Sequence, residues 1–237
     1  MRVAMTGATG LVGSSLVPLL ESNGYQVTPL RRGPCDDSTT PSWNPLNGDL
    51  SDAAVDGADA VIHLAGENIA GGRWTKARKA RIRDSRVDGT RHLSEALARL
   101  ERPPKTLIVA SAIGFYGDRG EERLHEQSSA GNGFLPEVCQ AWEAAAEPAV
   151  SRGIRVVQLR LGIVLTPAGG ALGQMLLPFK LGLGGVLGSG QQYMSWVALD
   201  DVLTSVLHAL RTESLTGPVN VVAPHAVTNK EFTKTLG

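Results

Sequence analysis

Gly7, Gly10 and Gly13 stand three residues apart, between an apolar run from Arg2 to Thr6 and a segment of helical period. Glycine at those positions permits a sharp turn, close approach of a ligand to the backbone, and tight packing of the next helix on the strand. The free N–H groups that open such a helix suit a pyrophosphate. The spacing alone is common; its place between a strand and a helix gives it meaning. The next strand delivers Arg31 and Arg32 to the point where a dinucleotide-binding fold meets the adenosine ribose. A carboxylate there would accept hydrogen bonds from a ribose 2′-hydroxyl, whereas arginine suits a 2′-phosphate, so NADP (NADPH) is expected rather than NAD. Two solvated arginines at a strand end are the plain alternative.

These residues need elements to position them. Leu11, Val12, Ser15, Leu16, Leu19 and Leu20 form an apolar stripe of helical period, and Asn23 with Gly24 supplies its stop. Tyr25 to Leu30 reads as the second strand, with Pro29 a mild blemish near its end. Asp59 to Ala65 reads as the third, Thr106 to Ser111 as the fourth, Arg155 to Leu161 as the fifth, and Pro218 to Ala223 as a late one. Thr75 to Leu100 reads as one long helix or two joined near Gly89, and Glu137 to Ser151 as a helix disturbed at Pro148. This alternation predicts an α/β fold, a doubly wound Rossmann-type parallel sheet. Two stretches break the rhythm, Ile113 to Phe134 and the glycine-rich Thr166 to Ser195. They read as substrate-side loops leaving the later strands, where ligands of doubly wound folds sit. Residues 1–165 are thus expected to form the NADP-binding part, and residues 166–237 the substrate-side loops with returning elements of the same unit.

Bulk properties exclude several classes. Lys+Arg and Asp+Glu balance at 23 each, so no overall field favours nucleic acid or an anionic membrane. The stretch from Arg73 to Arg91 is basic but has little aromatic interleaving, and reads as a solvated helix face. Cys35 and Cys139 lie far apart without metal-ligand spacing, so a reduced chain with no metal is expected. No run reaches membrane-spanning length and the N-terminus opens directly in a strand, so the expected location is cytoplasmic. The expected partner is a small-molecule substrate, with a homodimer left open.

Longer phrases carry a resemblance. Thr6 to Gly13, Asp59 to Gly66, Ser111 to Gly117, Arg86 to Thr90, Arg160 to Gly162 and Trp196 to Asp201 resemble the extended short-chain dehydrogenase/reductase superfamily, which contains nucleotide-sugar epimerases and dehydratases. Ala65 to Ile69, Arg73 with Trp74, Ser85 to Val87, Trp142 with Glu143, and Gly184 to Gln191 resemble a narrower, epimerase-like branch of it. The resemblance implies a cofactor set of Thr6, Gly7, Thr9, Gly10, Leu11, Val12, Gly13, Arg31, Arg32, Leu64, Ala65, Gly66 and Arg86. Arg86 stands where the superfamily usually has an asparagine near the cofactor phosphates. The branch normally carries a further C-terminal segment, so a truncated chain is expected, its last residues from Asn229 reading as a helix just begun.

The superfamily's chemistry rests on a Tyr-x-x-x-Lys pair after the fourth strand, helped by a serine. The ammonium favours phenolate, acidifying a phenol whose pKa is otherwise about 10, and the lysine holds the nicotinamide ribose. Ser111 stands where the serine belongs, but no Tyr-x-x-x-Lys exists in this chain. Aligning Glu143 with the glutamate that often follows the pair puts Leu135 and Cys139 at the two positions. Remaining candidates are Tyr116 on the loop beyond Ser111, Glu67 directly after the third strand, and Cys139 as a weak acid or nucleophile. Each has a plain alternative: a loop carboxylate capping backbone N–H groups for Glu67, an inert buried thiol for Cys139. His63 reads as a core residue, Trp142 as helix-to-sheet packing, and His125 with Glu126 as solvated surface. Two functions are therefore expected to compete: an NADP-dependent epimerase or oxidoreductase acting on a small polar or nucleotide-sugar-like substrate, and an NADP(H)-binding redox sensor with reduced catalysis.

Overall fold

Alternating side chains along each buried strand feed two separate cores, one on either face of a sheet. In the computed structural model, which describes residues 1–33, 41–51, 55 and 57–237, the strands are β1 (Arg2–Thr6), β2 (Gln26–Pro29), β3 (Arg31–Arg32), β4 (Ser42–Trp43), β5 (Ala60–His63), β6 (Thr106–Ala112), β7 (Arg155–Leu161), β8 (Ile163–Thr166), β9 (Tyr193–Met194), β10 (Trp196–Ala198), β11 (Gly217–Val221) and β12 (Val227–Thr228). The helices are α1 (Leu11–Ser22), α2 (Lys76–Arg99), α3 (Phe134–Ala144), α4 (Glu147–Ser151), α5 (Gly170–Lys180), α6 (Leu199–Arg211) and α7 (Asn229–Leu236). Cys35 lies outside the described residues.

Six strands form one parallel sheet in the order β2-β1-β5-β6-β7-β11. Ala4, Val61, Leu107, Val109 and Val156 pack with Val87, Leu93 and Leu97 of α2 and Trp142 of α3. Val3, Met5, Ile62, Ile108 and Leu159 pack on the other face with Leu16 and Leu20 of α1 and Val202, Val206 and Leu210 of α6. Each fully buried Leu or Ile side chain contributes roughly 1.5–3 kcal/mol, so both faces are held mainly by area removed from water. Chain order reverses at β1, whose neighbours are β2 and β5. The crevice outside the carboxyl ends of those strands is the expected ligand seat of an open α/β sheet.

Two boundaries differ from the sequence reading, and one point it left open is decided. Helix α2 runs unbroken through Gly89, which is buried and leaves room for Trp43 and Pro45 beside it. The long helix read from Glu137 to Ser151 is instead two, α3 and α4, with Pro148 in the first turn of α4, where its missing N–H costs nothing. The glycine-rich stretch read as loop contains the helix α5, none of whose residues is buried. Its glycines and Pro178 hid a helical run that the core does not demand.

Candidate cofactor and substrate site

The β1–α1 turn is shaped by what cannot fit there. Gly7 has φ +73°, and a Cβ on it would stand 2.7 Å from the carbonyl carbon of Leu64 at the end of β5. A Cβ on Gly13 would collide with the carbonyl oxygen of Gly7. The Gly10 amide donates to that same oxygen at 3.0 Å, closing the turn. Helix α1 then opens with no capping side chain and no acidic residue in its first turn, so its first N–H groups stay available to an anion. Thr6 turns inward: its hydroxyl lies 2.7 Å from His63 Nδ1, and both residues are fully buried. Burial pulls the His63 imidazole down to about 4, fixing it as a neutral core residue.

A cleft of about 880 Å³ extends from this turn, past Thr9, to Arg31, Arg32 and Trp43 on one side and to Leu64, Ala65 and Gly66 on the other. Arg31 and Arg32 are exposed and make no ion pair among the described residues. Leu11 and Val12 open α1 beside the cleft without lining it; the Leu11 side chain packs beside Gly169 and Gly170. Donor groups, volume and glycine clearances all fit a dinucleotide carrying a 2′-phosphate.

Beyond Gly66, a second group of residues meets. The Glu67 amide donates to Ser85 Oγ at 3.0 Å, its carbonyl accepts from Arg86 Nη1 at 3.0 Å, and its carboxylate pairs with the exposed Arg81 at 3.8 Å. Arg86 also donates to the carbonyl of Ile82 at 3.2 Å, and its guanidinium stands 5.1 Å from the Trp142 ring. A Cβ on Gly66 would sit 3.5 Å from Arg86 Cζ, an ordinary contact that places the guanidinium directly beside the end of β5. Burial lowers the Arg86 pKa, partly opposed by Cys139 and Glu67 nearby. Leu135 and Cys139 both face the turn after β6: a Cβ on Gly114 would lie 3.5 Å from Leu135 Cβ and 3.6 Å from Cys139 Sγ. Burial pushes the Cys139 thiol up to about 11, with Glu143 adding to the rise and Arg86 opposing it. A thiol held neutral is a poor nucleophile, which favours the inert buried thiol over the weak acid or nucleophile at Cys139.

The hydroxyls of Ser111 and Tyr116 are committed within the protein. Ser111 is 3% exposed and donates to Glu143 Oε1 at 2.6 Å. Tyr116 is 4% exposed, donates to Asn220 Oδ1 at 2.7 Å and accepts from Arg160 Nη1 at 2.9 Å. Arg160 and Glu143 form a two-pronged pair, Nε to Oε1 and Nη2 to Oε2, each at 2.8 Å, with the guanidinium 3.5 Å from the Phe115 ring centre. Burial alone would lower the Arg160 pKa, but the bonds to Glu143 and Tyr116 outweigh it and hold the charge. The expectation that Ser111 and Tyr116 face a substrate directly is corrected to this extent: their hydroxyls turn into a buried network.

Sequence reading missed Glu143, Arg160 and Asn220 as members of one constellation. An arginine inside β7, between the apolar Leu159 and Leu161, was the available signal, since a buried charge demands a partner. Glu126, read as surface, is also a tether: its carboxylate accepts the Asn220 amide at 2.8 Å, and its carbonyl accepts from Arg160 at 3.1 Å. Trp142 is buried as expected but bonds sideways, its Nε1 donating to Thr90 of α2 at 2.9 Å.

The family model described as the NAD dependent epimerase/dehydratase family matches residues 3–223. The chain belongs to that family. This family member is 44% identical over 236 residues to the epimerase family protein MT2273 of Mycobacterium tuberculosis, covering 99% of this chain and 77% of the relative. Among solved structures it matches a nucleoside-diphosphate sugar epimerase from Corynebacterium glutamicum with TM-score 0.86 and 39% identity, over all of this chain and 49% of the other. It therefore spans about half the length of that protein. The human epimerase family protein SDR39U1 (isoform 2), solved with NADPH, matches with TM-score 0.85 and 35% identity over 100% of this chain and 80% of its own. The family member's fold is thus that of the extended short-chain dehydrogenase/reductase superfamily. No described helix is long and apolar enough to cross a membrane.

Proposed function

We propose that this chain binds NADPH across the cleft between the β1–α1 turn and β3, and acts on a small polar, nucleotide-sugar-like substrate as an epimerase or oxidoreductase. The observation that carries the reading is the pairing of an open helix N-terminus with two exposed arginines, which make no ion pair among the described residues, in one continuous cleft. The NADPH held by human SDR39U1 supports the cofactor, and the Corynebacterium nucleoside-diphosphate sugar epimerase supports the substrate class. Bound NADPH would supply the hydride. Gly7, Gly10 and Gly13 let its pyrophosphate approach, Arg31 and Arg32 hold its 2′-phosphate, and Leu64 to Gly66 line the path onward. Of the candidate catalytic groups, Glu67 keeps the most accessible proton-accepting atoms, beside Arg81. Ser111 and Tyr116 would act through the Glu143–Arg160 network, or only after leaving it.

That last point favours a second reading, an NADP(H)-sensing module that passes redox state to a partner. It is supported by the committed hydroxyls of Ser111 and Tyr116 and by the neutral thiol at Cys139.

Titration with NADPH and, separately, NADH, followed by nicotinamide fluorescence, tests the cofactor assignment. Tight NADPH with weak NADH is expected, and equal affinities would return Arg31 and Arg32 to plain surface charge. A substrate screen on the NADP-loaded protein then separates the two functions. The enzyme loses turnover in Ser111→Ala and Tyr116→Phe, whereas a sensor shows no turnover to lose.

A further inference from the structure

The chain lacks the lysine that, in the resembling superfamily, holds the nicotinamide ribose, and Cys139 occupies its position. A cation nevertheless stands beside that position. Arg86 reaches across from α2, its guanidinium next to Gly66 at the end of β5 and electrostatically coupled to Cys139 on α3. Strand order gives the direction of the cleft: Arg31 and Arg32 beyond β2, the glycine turn at β1, Gly66 at β5, then Ser111 and Gly114 at β6 and beyond. Arg86 therefore lies past the phosphate turn, at the end opposite the two exposed arginines. The side chain is prepared for one orientation. Nη1 is fixed by the carbonyls of Glu67 and Ile82, and the plane is backed by Trp142. Nε and Nη2 make no hydrogen bond among the described residues, yet neither is a sealed, unsatisfied atom.

We infer that Arg86 takes over the work of the missing lysine, its unbonded N–H groups donating to the nicotinamide ribose of NADPH. The inference rests on the cofactor reading above, and it moves Arg86 from the phosphates, where the resemblance puts that position, to the far ribose. Arginine suits the task because it keeps its charge when partly buried, and its fork can meet two adjacent hydroxyl oxygens while a third N–H stays anchored.

The test compares three ligands on the same purified chain by isothermal titration: NADPH; 2′,5′-ADP, which carries the adenosine end with one phosphate of the bridge; and 2′-phospho-ADP, which carries both phosphates but no nicotinamide ribose and, like 2′,5′-ADP, should stay within about twofold. In Arg86→Met, NADPH is expected to weaken by about tenfold or more, the usual worth of hydrogen bonds from a charged donor. Binding of 2′,5′-ADP should stay within about twofold, because its contacts lie at the other end of the cleft. Equal weakening of NADPH and 2′,5′-ADP would make Arg86 a strut for the Glu67 loop, and equal weakening of NADPH and 2′-phospho-ADP would make it a phosphate contact; either overturns the inference, as would unchanged NADPH binding. Should Arg86→Met fail to fold, Arg86→Lys keeps one donor for the Glu67 carbonyl and is read by the same ratio. A wild-type chain that binds 2′,5′-ADP but not NADPH overturns this inference alone, whereas one that binds neither overturns the cofactor reading with it.

Discussion

At the scale of single residues, the buried pair Glu143–Arg160 has more at stake than any other charge contact in the described chain. Its side chains are 10% and 4% exposed, whereas Arg81 in the pair with Glu67 is 60% exposed. Removing one member of a buried pair strands the other in a medium that solvates it poorly, at a cost of about 3–5 kcal/mol. Glu143→Ala is therefore expected to lower unfolding free energy in urea by about that much, and Arg81→Ala by less than about 0.5 kcal/mol. Comparable losses in the two variants would refute this ranking. His63 adds a dependence on pH with a definite sign. Its folded pKa is depressed from 6.5 to about 4 by burial, so between those values the unfolded chain binds a proton that the folded chain refuses. The stability it contributes is present above the unfolded pKa and is lost as pH falls from about 6.5 towards 4, by up to about 3 kcal/mol at 1.36 kcal/mol per unit. Urea midpoints of wild type and His63→Leu, measured at pH 7 and pH 4.5, check this. The variant should lose distinctly less on acidification, and parallel losses would remove His63 as the cause.

At the scale of elements, the β1–α1 turn shows why part of this molecule could be read in advance and part could not. Gly7 and Gly13 are demanded by local geometry, one by a positive φ and a close neighbour strand, the other by the oxygen of Gly7 beneath it. Such demands act over a few residues, so they leave a mark in the sequence. Gly13→Ala should cost about 1–3 kcal/mol as an overpacked contact and abolish detectable NADPH binding by spreading the turn; a variant that folds and binds as wild type does would show that the turn yields easily. The central strands were equally legible, because apolar runs buried on both faces have little choice of structure: β7 runs from Arg155 to Leu161 as its pattern requires. Helix α5 was hidden for the opposite reason, since with no buried residue it imposes no apolar period. The Ser111–Glu143–Arg160–Tyr116 network was hidden because its partners are separated by up to 44 residues and meet only through the sheet. Charge identity in a buried strand hinted that Arg160 has a partner, but nothing local could say which carboxylate it is.

At the scale of the whole molecule, the cofactor cleft ties together parts that otherwise touch little. Its two arginines sit on β3, a two-residue strand that among the described residues pairs with β4 alone, outside the six-stranded sheet. Its glycine turn joins β1 to α1, whose Leu16 and Leu20 are buried. A ligand that bridges the two adds its binding free energy to the folded state alone. At one hundred times its Kd, that is about 2.7 kcal/mol. For a chain of this size each kcal/mol moves the melting temperature by about 2–4 °C, so saturating NADPH should raise Tm by about 5–10 °C. If the arginines read a 2′-phosphate, the double variant Arg31→Ala/Arg32→Ala should lose about 2 kcal/mol of NADPH affinity, roughly thirtyfold, through the charge-assisted hydrogen bonds it forfeits. NADH, which has no phosphate for them to hold, should bind the variant and the wild type alike. The Tm shift with NADPH should then fall to that seen with NADH, while the melting temperature of the free protein stays within a degree or so, because both side chains are exposed and make no ion pair among the described residues. A variant that keeps the full NADPH shift would mean that the cleft recognises the dinucleotide through its glycine turn alone, with its phosphate specificity lying elsewhere.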